Sequence, residues 1–113
     1  KHKHDEIPAE VVEAMTKMKE PQNLAEGVPA MERLTGYSRA QLCRLVKKYY
    51  GKTPYQYVEE MRLNIVYNMI KYSDIDIKII AESAGFNSIS WFYKLFKRKY
   101  SKTPVEIRGS RKD

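Results

Sequence analysis

Two stretches of this 113-residue chain carry side chains able to grip a polyanion. Residues 39–52 hold Arg39, Arg44, Lys47, Lys48 and Lys52 and no acid; residues 88–102 hold Lys94, Lys97, Arg98, Lys99 and Lys102 and again no acid. A guanidinium presents a planar fork that matches paired acceptors, whereas an ammonium acts as a point charge on a flexible stem. On a helical wheel the first stretch gathers Leu42, Leu45, Val46 and Tyr49 on one face and Ala40, Cys43, Arg44 and Lys47 on the other. The second gathers Phe92, Leu95 and Phe96 inward and Ser90, Tyr93, Lys94 and Lys97 outward, with Ile89 at its N-terminal end. Each stretch therefore reads as a helix with an apolar back and a basic front.

The two stretches are copies. Residues 36–54 read GYSRAQLCRLVKKYYGKTP and residues 85–104 read GFNSISWFYKLFKRKYSKTP. Leu42 matches Phe92, Leu45 matches Leu95, Val46 matches Phe96, Arg44 matches Lys94 and Lys47 matches Lys97, all at an offset of 50, while Gly36 and Gly85 lie 49 apart. The second turn thus contains one additional residue. A glycine turn followed by a basic helix, present twice, is what a tandem helix-turn-helix reader of duplex DNA requires. Helix residues near the N-terminus reach base edges in a major groove, so Arg39, Ala40, Cys43, Arg44, Ile89, Ser90, Tyr93 and Lys94 are the candidate base readers. Arg44 is the foremost of them, because its fork fits the O6 and N7 of guanine. Lys47, Lys48, Lys52, Lys97, Arg98 and Lys102 are the candidate phosphate contacts, and the helix N-termini near 29 and 76 offer backbone N–H groups to the same phosphates.

The elements that position these residues can be read from periodicity and punctuation. Ile7, Val11, Val12, Met15 and Met18 recur at helical steps and predict an amphipathic helix over 7–19, with Pro8 in its first turn. Pro21, Gly27 and Pro29 break the next stretch. A short helix over 29–35 turns Met31 and Leu34 inward and ends at Gly36; Ser38 caps a helix over 39–50. Thr53 caps, and Pro54 begins, a long helix to Tyr72 with Val58, Met61, Ile65, Val66, Met69 and Ile70 inward. Asp76 caps a short helix burying Ile77, Ile80, Ala81 and Ala84, and Gly85 makes the second turn. Asn87 or Ser88 caps the helix 89–100, Thr103-Pro104 opens a last short helix, and the terminal residues 109–113 are expected to fray. No strand-like alternation is present. The expected fold is all-α, with about seven helices: a first helix-turn-helix subdomain over 7–53, a linker helix over 54–72, a second subdomain over 73–108, and tails at 1–6 and 109–113.

Composition narrows the classes further. The net charge is +7, yet residues 1–35 sum to −2 and the rest to +9, so positive charge concentrates on the repeated segments. No apolar run is long enough to span a bilayer, and 1–10 lacks the apolar stretch of a signal peptide. The single Cys43 makes no internal disulfide, which fits a reducing cytoplasm. Beside Arg44 and Lys47, Cys43 could serve as a redox sensor or methyl acceptor, but a small residue at a DNA surface is the plainer reading. Lys1-His2-Lys3-His4 could bind a metal, although two His and one Cys are too few for a structural zinc site. Trp91 and nine Tyr could stack on single strands; Trp91 is better placed at the core edge or against a sugar-phosphate backbone. No Ser–His–Asp set or carboxylate pair suggests catalysis, so no enzyme and no cofactor are expected. The competing class is a protein-interaction module whose basic charge is incidental.

With these residues in view, the chain resembles the C-terminal DNA-binding domain of AraC/XylS-type bacterial transcription regulators. The second half carries the resemblance through DIKIIAESAGFNS (76–88), FYKLFK (92–97) and Thr103-Pro104. The first half carries it through Gly36-Tyr37-Ser38, Leu42 to Leu45, Lys47-Lys48, Gly51, Thr53-Pro54, Tyr57 and Arg62-Leu63. Against the family pattern, Glu32 replaces a small residue, Val46 a Phe, Ser101 a Gly, Ile107 a Tyr and Lys94 a frequent Arg. The resemblance implies two recognition helices in successive major grooves, at a separation set by the long helix, with DNA bending if they sit closer than the groove repeat. It also implies a separate effector-binding or dimerisation domain in a longer regulator, of which this chain is a piece, and contact with RNA polymerase if that regulator activates.

Overall fold

The computed structural model describes residues 6–110, and every regular element among them is an α-helix. They are α1 (Ala9–Lys17), α2 (Pro21–Glu26), α3 (Val28–Thr35), α4 (Arg39–Tyr50), α5 (Pro54–Tyr72), α6 (Ile77–Ser83), α7 (Ile89–Tyr100) and α8 (Pro104–Ser110). The chain forms two compact units, and the division falls inside α5, between Glu60 and Met61.

In the first unit α1 and α2 pack on α3. Val11, Ala14, Met15, Met18, Leu24, Ala30 and Met31 are buried, as are Leu42 and Val46 of α4 and Val58 of α5. The stripe on α1 runs 11, 14, 15, 18, and Val12, expected inward, stands one step off it and is 47% exposed. Helix α2 was expected as broken chain. Pro21 instead occupies its first position, where the missing N–H costs nothing. Asn23 explains why this stretch is ordered. It is buried, donates from Nδ2 to the Lys17 carbonyl at the end of α1 (2.9 Å), and accepts from Arg33 at Oδ1 (3.0 Å).

The second unit holds α6, α7, α8 and the rest of α5. Its centre is aromatic: Phe92 and Phe96 are both fully buried, with ring centroids 5.6 Å apart. Phe86 meets Phe92 at 5.1 Å, and Tyr100 and Tyr67 meet Phe96 at 4.7 and 6.1 Å. Helix α5 buries Leu63 and Arg62 besides the expected Met61, Val66 and Ile70, while Ile65 and Met69 are only half-buried. A single inward stripe under-describes a helix covered on more than one side. The Arg62 guanidinium lies 5.9 Å from the centre of the Phe86 ring, within reach of a cation–π attraction. Helix α8 continues through Gly109 and Ser110, the first two residues of the segment expected to fray.

The two turns stop their helices in different ways. Gly36, at φ 78°, donates its N–H to the Glu32 carbonyl (2.8 Å), the single-bond left-handed stop of a helix. After α6, Gly85 (φ 105°) donates to the Glu82 carbonyl and Phe86 to that of Ala81, the two-bond Schellman arrangement, with Phe86 buried behind it. The additional residue lies past the stop: Tyr37 alone separates Gly36 from the cap Ser38, whereas Phe86 and Asn87 separate Gly85 from Ser88.

A third pair of equivalent positions closes α4 and α7. Gly51 (φ 75°) and Ser101 (φ 62°) both take the left-handed conformation and donate to the carbonyls of Lys47 and Lys97 respectively. Ser101 is the one non-glycine with positive φ among the described residues. An L-residue there costs about 1–2 kcal/mol, partly offset by the unfolded-state entropy of glycine. Ser101→Gly is therefore expected to stabilise the chain by about 0.5–1 kcal/mol. A Cβ at Gly51 would meet nothing within 4 Å, so Gly51→Ser should destabilise by a similar amount through backbone strain alone. Urea denaturation of both variants checks the pair; a neutral or destabilised Ser101→Gly would show that the serine side chain stabilises this turn.

Candidate nucleic-acid interface

Helices α4 and α7 share one frame. Both have twelve residues, both begin after a serine whose hydroxyl accepts the third residue's N–H, and both end in a left-handed residue. Ser38 accepts the Gln41 N–H at 3.2 Å and Gln41 Oε1 accepts the Ser38 N–H at 2.9 Å, a complete capping box. Ser88 accepts the Trp91 N–H at 3.1 Å; a tryptophan there has no acceptor with which to complete the box. The Lys-Thr-Pro ends of the two copies each cap the succeeding helix: Thr53 exchanges bonds with Gln56 at the start of α5, and Thr103 with Glu106 at the start of α8. The Thr103 backbone N–H in turn is the first cause holding the Glu106 carboxyl below its ordinary range, with Lys97 and Lys102 adding smaller contributions. Gln41, Gln56 and Glu106 were not singled out from sequence, although a Gln or Glu three residues after each cap is their signal.

With the inward residues Leu42, Val46, Phe92, Leu95 and Phe96 buried, the outward ones form matching stripes. Ala40, Cys43, Arg44 and Lys47 run along α4 at steps of three and four, and Ser90, Tyr93, Lys94 and Lys97 run along α7 at the same steps; all eight are exposed. Lys48, Arg98 and Lys102 are exposed as well, and Ile89 is half-buried. Trp91 is 40% exposed on α7, and the Lys48 ammonium lies 5.2 Å from the Tyr49 ring centre.

Two candidates hold acidic partners. Arg39 donates from Nε to Glu32 Oε2 (2.9 Å) and from Nη2 to Glu32 Oε1 (3.3 Å). That bond is the first cause raising the Arg39 guanidinium above its usual range. Lys52 donates to Glu60 Oε1 at 2.6 Å. Arg44, Lys47, Lys94, Lys97, Arg98 and Lys102 are exposed and make no ion pair among the described residues, Lys97 and Lys102 acting on Glu106 only at longer range. The helix N-termini divide. Asp76 covers that of α6 by accepting the Lys78 N–H at 2.8 Å, which sets a carboxylate where a phosphate was expected. The start of α3 has no side-chain cap.

Cys43 is exposed. No group of three or more His, Cys, Asp or Glu among the described residues is arranged to hold a metal ion, and the Lys1-His2-Lys3-His4 run lies outside those residues. No helix among the described residues is long and apolar enough to cross a membrane.

A protein family described as "Helix-turn-helix domain" matches residues 31–110. The crystal structure of a transcriptional regulator from Chromobacterium violaceum, of the AraC-type DNA-binding domain-containing proteins, superposes with a TM-score of 0.79 at 30% identity, covering 92% of this chain and 93% of that one. The xylose operon regulatory protein of Haemophilus influenzae is 37% identical over 71 residues, 63% of this chain and 18% of its own length. The HTH-type transcriptional activator RhaS of Mannheimia succiniciproducens is 42% identical over 67 residues, 59% of this chain and 25% of its own. The aligned part of this chain thus spans a quarter or less of these two relatives.

Proposed function

Since the chain belongs to the AraC-type helix-turn-helix family of DNA-binding domains in bacterial transcription regulators, we propose that it reads double-stranded DNA with two helices, α4 and α7, laid in successive major grooves. The observation that carries this reading is the pair of matched outward stripes, each on a serine-capped helix whose opposite face is buried. Residues near a helix N-terminus meet base edges, which assigns Arg39, Ala40, Cys43 and Arg44 to one half-site and Ile89, Ser90, Tyr93 and Lys94 to the other. Lys47, Lys48, Lys97, Arg98 and Lys102 lie further along or beside these helices and suit phosphates.

The stripes share a frame and differ in chemistry. Ala40 can touch only a methyl or sugar, whereas Ser90 can exchange hydrogen bonds; Arg44 offers a fork and Lys94 a point charge. Two half-sites about one helical turn apart, unlike in sequence, are the expected operator. Such a site has a direction, which suits a chain that brings both readers itself. The reading further places this chain in the cytoplasm as the DNA-reading part of a longer regulator, with effector binding or dimerisation elsewhere in it, and with RNA polymerase as partner if that regulator activates.

Selection from a random duplex library, followed by a salt titration on the enriched sequence, tests the proposal. Affinity should fall linearly in log salt with a slope of about −0.9 per phosphate contact, so roughly −4 to −5 if the five unpaired phosphate candidates all engage. No enrichment together with salt-independent binding would sink it.

A further inference from the structure

We infer that Glu32 is a specificity-positioning residue: it holds the Arg39 guanidinium so that only the terminal edge of that group faces a base. The inference rests on the reading of α4 as a major-groove helix. The side-on pair with Glu32 occupies Nε and one hydrogen of Nη2, at 2.9 and 3.3 Å. It leaves the Nη1–Nη2 edge with parallel donors, the arrangement that matches the O6 and N7 of a guanine. Backbone anchors fix both ends of the pair. The Glu32 carbonyl accepts the Gly36 N–H that stops α3, and Arg39 is the first residue of α4, set by the Ser38–Gln41 box. The carboxylate is the less exposed partner, with 30% of its side chain accessible against 57% for Arg39. An arginine tied down in this way loses little rotamer freedom when it meets a base.

The second copy sharpens the point. At the offsets of the repeat, Glu32 corresponds to the buried Ala81 and Arg39 to the half-buried Ile89. The acid and the arginine occur together in one helix-turn-helix and are both lacking in the other, as expected of a functional couple. Charge gives Glu32 a second effect. Sequence-independent binding follows net positive charge near the phosphates, and a neutral Glu32–Arg39 pair adds little to it while keeping hydrogen bonds for a base edge. Glu32 thereby raises the ratio of specific to non-specific affinity from both sides.

The test uses this chain and the duplex that it enriches by selection, with each base pair of the α4 half-site changed in turn. Discrimination and salt slope are measured for wild type, Arg39→Ala, Glu32→Ala, Glu32→Gln and the Arg39→Ala/Glu32→Ala double variant. Circular dichroism confirms folding in each case. Arg39→Ala should erase preference at one position. Glu32→Ala should reduce that same preference roughly fivefold or more, bind random duplex a few-fold tighter, and steepen the salt slope by up to about 0.9 as Arg39 turns to a phosphate. Glu32→Gln, which keeps an acceptor, should retain most of the preference, and Glu32→Ala should change nothing at that position once Arg39 is gone. If Arg39→Ala erases a preference that Glu32→Ala leaves intact or strengthens, Glu32 only screens the arginine and the inference is overturned while the reading of α4 stands. If Arg39→Ala alters no position, the inference is likewise overturned. If wild type enriches no sequence, the reading of α4 falls and takes this inference with it.

Discussion

Arg44→Ala is expected to cost about 1–3 kcal/mol on the preferred site and almost nothing on a duplex changed at the single base pair that Arg44 reads. Arg44 is exposed, makes no ion pair among the described residues, and stands on the outward stripe two residues from the buried Leu42 and Val46. Nothing in the fold would therefore collapse on its loss. The alanine would remove a bidentate donor without opening a cavity, so the effect should appear as roughly a 5- to 150-fold loss of discrimination at one position. Lys47 lies one turn further along the same stripe and supplies the control. Lys47→Ala should weaken every sequence alike and flatten the salt slope by about 0.9, because a phosphate contact carries no base information. Gel-shift titrations of both variants on the selected site and its point mutants separate the two roles. Parallel losses on all sequences for both would mean that Arg44 is a phosphate contact too.

The positions behind this prediction were legible because helix periodicity and turn chemistry are local. Gly36, Ser38, Thr53, Pro54, Asp76, Ser88 and Pro104 each mark an element end through their own backbone or side-chain preference, and these marks set the bounds of α4, α5 and α7. Helix α2 was not legible, because Pro21 can either start a helix or break one. The choice between them is made by Asn23 reaching the Lys17 carbonyl and Arg33, contacts made six and ten residues away. Leu63 and Arg62 were missed for a related reason: a wheel assumes one buried face, and α5 is covered on more than one. On the outward stripes the sequence distinguished exposed from buried positions but not free cations from engaged ones. Arg39 and Lys52 read like their neighbours until Glu32 and Glu60, seven and eight residues away, are seen to hold them. Side-chain pairing across a turn leaves no periodic trace. The mismatch of 49 against 50 residues between the copies did leave one, in the residue added between Gly85 and the cap Ser88.

Phe96→Ala should cost about 3–5 kcal/mol, the range for truncating a fully buried aromatic. Phe96 is the hub of the second unit's core: its ring meets Phe92 at 5.6 Å, Tyr100 at 4.7 Å and Tyr67 at 6.1 Å, and it sits on the inner face of the helix whose outer face carries Tyr93, Lys94 and Lys97. A unit of this size has a folding free energy of only a few kcal/mol, so the loss is comparable with the whole. The expected result is a chain in which α6 to α8 no longer hold together at ambient temperature. Preference in the half-site assigned to α7 then disappears, although no residue that faces DNA has been changed. Phe96→Leu refills most of the space and should cost only about 1.5 kcal/mol, so it should lower the melting temperature by roughly 6–12 °C while keeping both half-sites. Thermal melts followed by circular dichroism, together with selection on the two variants, give the comparison. A Phe96→Ala chain that melts like wild type would show that the aromatic cluster does not hold the second unit together, and a Phe96→Leu chain that loses the α7 half-site would show that ring stacking, rather than filled volume, sets the posture of that helix.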